Sequence, residues 1–525
     1  MDTEIYTYDN DRIRPIIKIE FGILGNDEIK NMSALGRDNA GVEYPDLYDV
    51  LEPKRNGLID TRMGTTDNSI DCDTCGFNNT YCVGHFGHID LAEPVFHIGY
   101  LPYIKKILGC ICIRCSKLLV YKNERDIEEI LKTKTGKNRL NEVRKLVKNI
   151  SFCSKSNYGC GTPVPKIKLE IKKTTGAINL IAESLSAETE DGDKTKKKKE
   201  PLILTPDIVY DILKNISDKD CLIMGFDPKM SRPEDMIIKT FPVPPVQVRP
   251  SAKAESMSST LEDDLTHKLA DIIKANLRLR KHKENINENT AKYSNDHIHF
   301  LQYHCATYID NESLSLPKSE QKGKAIKSLT SRLSGKEGHF RGHLMGKRTD
   351  FSARTVIGSD PSIEINELRV PLNIARALTF PEVVTKHNIE FLKKLVRNGA
   401  TNYPGANFVF PLSSLVPGKR VLPIDLRYRK EGTDLRFGDI VERHLLDGDP
   451  VLFNRQPTLH KVSMMVHRIK VINNPNVNSF GMSVYVCKPY NADFDGDIHF
   501  VSNSGLLVKL LIKLNRENSV RLAQI

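Results

Sequence analysis

The sequence predicts an α+β protein of several domains: a cysteine-stapled, loop-rich N-terminal lobe, a helical hairpin, and a C-terminal region of short β-runs forming an irregular barrel. Three observations carry this. Eight of the 11 cysteines fall between Cys72 and Cys160, so metal rather than a large core is expected to hold that lobe together. Apolar residues recur at helical spacing on both sides of a polar break at Asn285 to Asn289. From about residue 345, short β-type runs alternate with turns rich in Gly, Pro and Asn. At 525 residues the chain is too long for one hydrophobic core.

Composition narrows the class. With 39% hydrophobic and 27% charged residues and no apolar run of about 18, a membrane span is not expected. The early acids Asp2, Glu4, Asp9 and Asp11 do not fit a secretory leader, which places the chain in a reducing compartment, where clustered cysteines point to zinc rather than disulfides.

Within the first lobe, Cys72, Cys75, Cys82 and His85 form two tight pairs, each able to span one edge of a tetrahedron, with Gly76 and Gly84 freeing the backbone to turn. His88 competes with His85 but leaves a wider gap. A second set, Cys112, Cys115, Cys153 and Cys160, has one tight and one looser pair across a helix-like segment; Cys110 is either an alternative to Cys112 or a buried thiol.

The run from Glu188 to Glu200, with Lys196 to Lys199 consecutive, reads as a disordered surface insertion. Thr205-Pro206 opens a helix through Ile208, Ile212 and Ile216, the stretch from Phe241 to Pro250 is extended, and Ser251 to Thr260 is a flexible segment. Leu265, Leu269, Ile272 or Ile273 and Leu277 form one hairpin face; Ile298, Leu301, Cys305 and Tyr308 form the other. Between Lys318 and Arg354, ten Lys and Arg, among them Lys336, Arg341, Lys347, Arg348 and Arg354, stand against three acids on glycine-rich loops that can approach a phosphate chain. The expected β-runs are Phe351 to Ile357, Phe408 to Pro411, Val462 to Val471 and Met482 to Val486.

The strongest chemical signal is Asn491-Ala492-Asp493-Phe494-Asp495-Gly496-Asp497. Carboxylates at alternate positions share one face of a strand, and Gly496 permits a turn that brings all three to one point. Oxygen ligands alone select a hard cation, and Mg²⁺ with open positions suits nucleotidyl or phosphoryl transfer. A calcium loop fails, since the places requiring Gly and Glu hold Ile498 and Ser504. A haloacid-dehalogenase-type phosphatase, with Asp493 as nucleophile, is the alternative enzyme. A non-catalytic zinc module that binds nucleic acid is the alternative outside enzymes. Upstream, Arg455 beside the Pro457 turn offers a fork of donors to a nucleotide.

Together these stretches resemble the largest subunit of eukaryotic and archaeal DNA-dependent RNA polymerases, most of all RNA polymerase II. The resemblance rests on Phe21 to Leu24, Gly87-His88-Ile89, Ser231 to Glu234, Gly346 to Ile357, Pro450 to Lys461 and Tyr490 to Asp497. It implies a double-psi β-barrel on which Asp493, Asp495 and Asp497 hold the catalytic Mg²⁺, with Arg455 and Asn491 reading ribose hydroxyls and Pro457 fixing that turn. Two Zn²⁺ sites are implied in a clamp. The implied layout is clamp core and head at 1–250, lid and clamp coiled coil at 251–313, rudder and switch region at 314–358, and dock and active-site barrel at 359–497. Lys336, Arg341, Lys347, Arg348 and Arg354 would contact template and hybrid. Implied partners are the second-largest and smaller subunits, DNA template, RNA–DNA hybrid, nucleoside triphosphates and transcription factors at the clamp. The location would be the nucleus for a cellular source, or the host cytoplasm or virion for a viral one, toward which the Asn-, Ile- and Lys-rich composition leans. Residues 498–525 are expected to be a non-family tail, as intron read-through, a split gene or a frameshift would produce, with Leu506 to Leu514 forming a short helix.

Overall fold

The computed structural model describes residues 18, 21–36, 41–50, 52–67, 69–120, 124–154, 159–173, 175–185, 199–253, 260–284, 294–412, 422–428, 434–474 and 476–502. It divides into two compact units, residues 1–342 and 343–525. The division falls inside the segment expected as rudder and switch.

In the first unit, strand Gly87–Phe96 pairs antiparallel with Ile237–Val243. Against it pack two helices, α1 (Asp264–Glu284) and α2 (Ser294–Ile309). Leu265, Leu269, Ile272, Ile273, Leu301, Cys305 and Tyr308 are buried as their spacing requires, while Leu279 is buried in place of the half-buried Leu277. Two side-chain amides clip the hairpin to the strand, one at its irregular stretch and one at its end. Asn276 accepts from the Ala92 amide (2.7 Å) and donates to the Asp90 carbonyl (2.9 Å). Gln302 does the same at Phe96 (2.6 and 2.8 Å), so backbone groups buried off the ladder stay satisfied. The hairpin tip at 285–293 lies outside the described residues, as do 254–259 of the expected lid.

A second core joins helices Leu101–Leu108, Gly136–Val147 and Pro206–Lys214 to the three-stranded sheet Lys166–Ile171, Ile178–Leu185 and Lys199–Leu204. Pro206 stands in the first turn, where a missing N–H costs nothing. The expected insertion is corrected at its end, because Lys199 and Glu200 already belong to the third strand; 186–198 lie outside the described residues.

The second unit contains a closed barrel of six strands, β1 (Ser352–Ser359), β2 (Glu367–Pro371), β3 (Pro450–Arg455), β4 (Met464–Ile472), β5 (Phe480–Met482) and β6 (Ile498–Ser502), in the order β1-β5-β2-β4-β3-β6. The pairs β1–β5 and β2–β4 are parallel and the rest antiparallel. Leu368, Val370, Val451, Phe453, Phe480 and Val501 fill the interior. Beside it, helix Ile389–Asn398 packs on the four-stranded sheet formed by Thr379–Val383, Ile440–His444, Ala406–Phe410 and Ile424–Asp425.

Two expectations are corrected here. The run from Met482 to Val486 is strand only as far as Met482, and Val484–Val486 is a short 3-10 turn. The expected tail does not begin at 498: β6 closes the barrel, with Phe453↔Val501 on one side and Ala353↔Val501 on the other, and its His499 and Val501 are buried. Strand alternation His499 in, Phe500 part-out, Val501 in carries this pattern. Residues 503–525, including Leu506 to Leu514, lie outside the described residues. Among the described residues no helix is long and apolar enough to cross a membrane.

Candidate functional site

Both cysteine sets come together in the first unit. In each, the four ligand atoms, one per residue, lie within 4.8 Å of one another. His85, not His88, completes the first set. His88 is a strand residue with its Nδ1 2.7 Å from Ser33 Oγ, whereas His85 Nε2 is buried without a hydrogen-bond partner.

One tight pair in each set, Cys72–Cys75 and Cys112–Cys115, shares a backbone device. Cys72 donates to the Phe77 carbonyl (2.9 Å) and Gly76 donates back to Cys72 (2.7 Å); Cys112 donates to Lys117 (2.9 Å) and Ser116 back to Cys112 (2.8 Å). The returning residue has positive φ in both, +69° at Gly76 and +54° at Ser116. Gly84 (φ +83°) faces a different constraint: a Cβ there would stand 2.5 Å from Pro245 Cβ and 2.6 Å from Gln247 Oε1.

In the second set Cys112 and Cys160 Sγ are 3.4 Å apart and Cys115 and Cys153 Sγ 3.8 Å. Sulfurs bound at about 2.3 Å to one tetrahedral ion would stand about 3.8 Å apart, so the spacing fits zinc. The segment between the pairs holds helices Glu124–Thr133 and Gly136–Val147, as expected. Burial raises Cys82 to about 11 and Cys115 to about 12. At Cys75 burial is outweighed by hydrogen bonds from His85 and the Phe77 amide, which bring the thiol to about 7. Cys160 is brought to about 6, chiefly by the Thr162 hydroxyl at 2.9 Å. Cys110 stands outside the group, fully buried, its thiol pushed up to about 12 by burial.

The aspartates are arranged differently from the expectation. Asn491 to Asp497 is a turn between the short helix Cys487–Tyr490 and β6, not a strand face, and Gly496 supplies its positive φ of +119°. Among the described residues, only the two cysteine sets gather three or more ligand atoms within 4.8 Å, so the three carboxylates are not drawn together. Like charges repel, and the nearest cation claims one of them. Arg455, the last residue of β3, faces His499 across the barrel ladder and donates to Asp497 through Nε (2.9 Å) and Nη2 (3.4 Å). Asp497 also accepts from the Asp493 amide (3.0 Å); with the Arg455 bond first and this amide second, its carboxyl is held below the usual range. Asp493, Asp495 and Asn491 are exposed, and Asn491 is left-handed at φ +48°. Pro457 follows a cis peptide on the exposed turn beyond Arg455. The all-oxygen donor set, exposed on one side and backed by the barrel, suits Mg²⁺ in kind.

The basic segment is exposed at Lys336, Arg341, Lys347, Arg348 and Arg354. Lys336 and Arg341 belong to the first unit; Lys347, Arg348 and Arg354 belong to the second. Arg354 stands 5.3 Å from the Phe500 ring. Arg332 is spent structurally, on Asp263 and the Val248 carbonyl.

Comparison with known proteins decides the family. The family model described as RNA polymerase Rpb1, domain 1, matches residues 13–344, and that described as RNA polymerase Rpb1, domain 2, matches residues 346–503. The chain belongs to the RNA polymerase Rpb1 family. The junction between the two Rpb1 matches coincides within a few residues with the division between the structural units. The second match covers β6, which again corrects the expected break at 498. A DNA-directed RNA polymerase subunit 1 from Acanthamoeba polyphaga mimivirus is 51% identical over 500 residues, 94% of this chain. The chain spans about a third of that relative's length, 33%. Neither the phosphatase nor the zinc-module alternative is favoured by this membership.

Sequence reasoning missed four buried residues beneath the aspartate turn: Phe453, His467, Tyr490 and His499. Their signal is weak. Tyr490 stands out only as the first residue of a family stretch, and His499 reads by sequence as the start of a tail.

Proposed function

We propose that this chain contributes to template-directed RNA synthesis as part of the largest subunit of a DNA-dependent RNA polymerase. Asp493, Asp495 and Asp497 would hold Mg²⁺, which when bound would support attack of the RNA 3′-hydroxyl on the α-phosphorus of a nucleoside triphosphate. Arg455 and Asn491 would meet the ribose hydroxyls, the guanidinium through paired donors, while Pro457 sets the course of the turn. The observation that carries this reading is the meeting of Arg455, at the end of β3, with Asp497, in the turn that enters the adjacent strand β6, in a chain of the Rpb1 family.

On the same reading the closed barrel, with its mixture of parallel and antiparallel pairs, is the double-psi barrel, 359–497 being dock and active-site domain, with β6 added and with β1 entering from the end of the switch region. Residues 1–250 form clamp core and head with two Zn²⁺, 251–313 the lid and clamp coiled coil, and 314–358 the rudder and switch region. Lys336, Arg341, Lys347, Arg348 and Arg354 would grip the backbones of template DNA and RNA–DNA hybrid without reading sequence. The second-largest and smaller subunits, and transcription factors at the clamp, are the implied partners. A viral relative favours the host cytoplasm or virion over the nucleus.

The test is RNA synthesis by the assembled polymerase containing this chain. Asp495→Ala should abolish Mg²⁺-dependent synthesis while the subunits still assemble; normal synthesis by that variant would overturn the reading.

A further inference from the structure

The aspartate turn is anchored at both ends to one residue. At its entry Tyr490, 1% exposed, places its hydroxyl 3.3 Å from the Phe453 carbonyl and 2.9 Å from His467 Nε2. At its exit His499, 0% exposed, lays its ring 4.7 Å from that of Phe453. The rings of Tyr490 and Phe453 meet edge to face at 5.3 Å, and those of Tyr490 and His499 at 5.5 Å. Phe453 lies two residues before Arg455, so the strand that carries the anchor also carries the cation that holds Asp497.

Hydrogen bonding ties this knot together. Burial lowers His467 to about 4, so the ring is neutral near pH 7. His467 Nε2 and Tyr490 Oη share one hydrogen bond at 2.9 Å, and the same hydroxyl meets the Phe453 carbonyl at 3.3 Å. A buried hydroxyl satisfied on both sides has one position, and displacement of either partner leaves a polar group desolvated. The knot thus joins β3, β4 and the helix Cys487–Tyr490, whose next residue is the left-handed Asn491.

We propose that Tyr490 is a positioning residue, whose hydroxyl, held between His467 and the Phe453 carbonyl, sets the Asn491–Asp497 turn against Arg455. It does not touch substrate. It fixes where Asn491 and the first aspartate stand relative to the guanidinium, and so governs metal affinity and ribose recognition together. This rests on the polymerase reading of the turn.

The test uses the assembled polymerase containing this chain, with Tyr490→Phe and His467→Phe singly and together, and His467→Gln as the variant that keeps a donor. Mn²⁺ affinity is read by electron paramagnetic resonance, and discrimination between ribo- and deoxyribonucleotide by the ratio of kcat/KM values. Losing the hydroxyl should weaken Mn²⁺ binding and lower that discrimination, each about five- to tenfold, beside a modest fall in the thermal midpoint from the buried partners left unpaired. The double variant should be no worse than Tyr490→Phe alone, because both remove one relay, and His467→Gln should recover most of the loss. Metal affinity and discrimination both within about twofold of the parent in Tyr490→Phe would overturn the proposal, as would effects that simply add. The outcomes also separate the two levels. A dead Asp495→Ala beside an unaffected Tyr490→Phe sinks only the positioning role, whereas an active Asp495→Ala sinks the polymerase reading itself.

Discussion

The two cysteine sets and the aspartate turn are both read as metal centres, yet the chain assembles them in opposite ways. Around the cysteines the backbone does the gathering: paired hydrogen bonds close the turns at Cys72–Cys75 and Cys112–Cys115, and the ligand atoms already stand within 4.8 Å. Sulfur ligands, most of whose thiols are easily kept protonated until metal arrives, tolerate that proximity better than three carboxylates. The carboxylates do not gather; Asp493 and Asp495 stay exposed, and Asp497 is balanced by Arg455 across the barrel. Three anions brought together would repel, so the fold supplies a turn, a barrel edge and one counter-charge. A soft-metal site can therefore be part of the scaffold, while a hard-metal site that must open to substrate is left adjustable.

The largest expected difference lies in stability. Zinc bound at a structural site is worth on the order of 10 kcal/mol to folding, so Cys72→Ser should melt the first lobe and halve the bound zinc. Asp495→Ala, though expected to abolish synthesis, should leave the thermal midpoint unchanged. Calorimetry and metal analysis on both variants check this pair, and equal destabilisation would erase the contrast. The first set, with two tight pairs, should also keep its zinc longer against a chelator than the second.

A smaller effect tests the packing around the Cys82–His85 turn. Gly84→Ala would force a Cβ against Pro245 and Gln247 and should cost about 1–3 kcal/mol in denaturant unfolding. A decrease under about 0.5 kcal/mol would show that the turn yields. At the other site, Arg455→Ala should lower ribose discrimination about tenfold while assembly persists, as expected for removal of one charged, paired interaction. Unchanged discrimination would reduce Arg455 to a counter-ion. Smallest is the basic segment: reversing Lys347 and Arg348 should reduce the logarithmic salt slope of template binding by about 0.9 for every phosphate no longer neutralised.

Legibility in the sequence follows the range of the forces involved. The two cysteine sets are readable because their tight pairs are local, and spacing alone reports a tetrahedral edge. The helical hairpin is readable from periodicity, although Leu279 rather than Leu277 faces inward, because rotation along a long helix is set by what it packs on. The aspartates stand out in the sequence, but their arrangement does not, since the pairing of Asp497 with Arg455 spans 42 residues and arises only when β3 meets β6. The same distance hides β6: judged by family letters alone, Ile498 to Phe500 look foreign, yet their alternation suits a barrel strand. The anchors Asn276 and Gln302 are invisible because their partners are backbone groups 184 and 206 residues away.

The contrast between the centres is tested most directly by measuring metals on the isolated chain. It should retain about two zinc ions per chain after exhaustive dialysis, with X-ray absorption showing sulfur ligation, and should bind Mn²⁺ tightly only once assembled with the other polymerase subunits. Tight Mn²⁺ binding to the isolated chain, lost on Asp495→Ala, or a folded chain free of zinc, would contradict it.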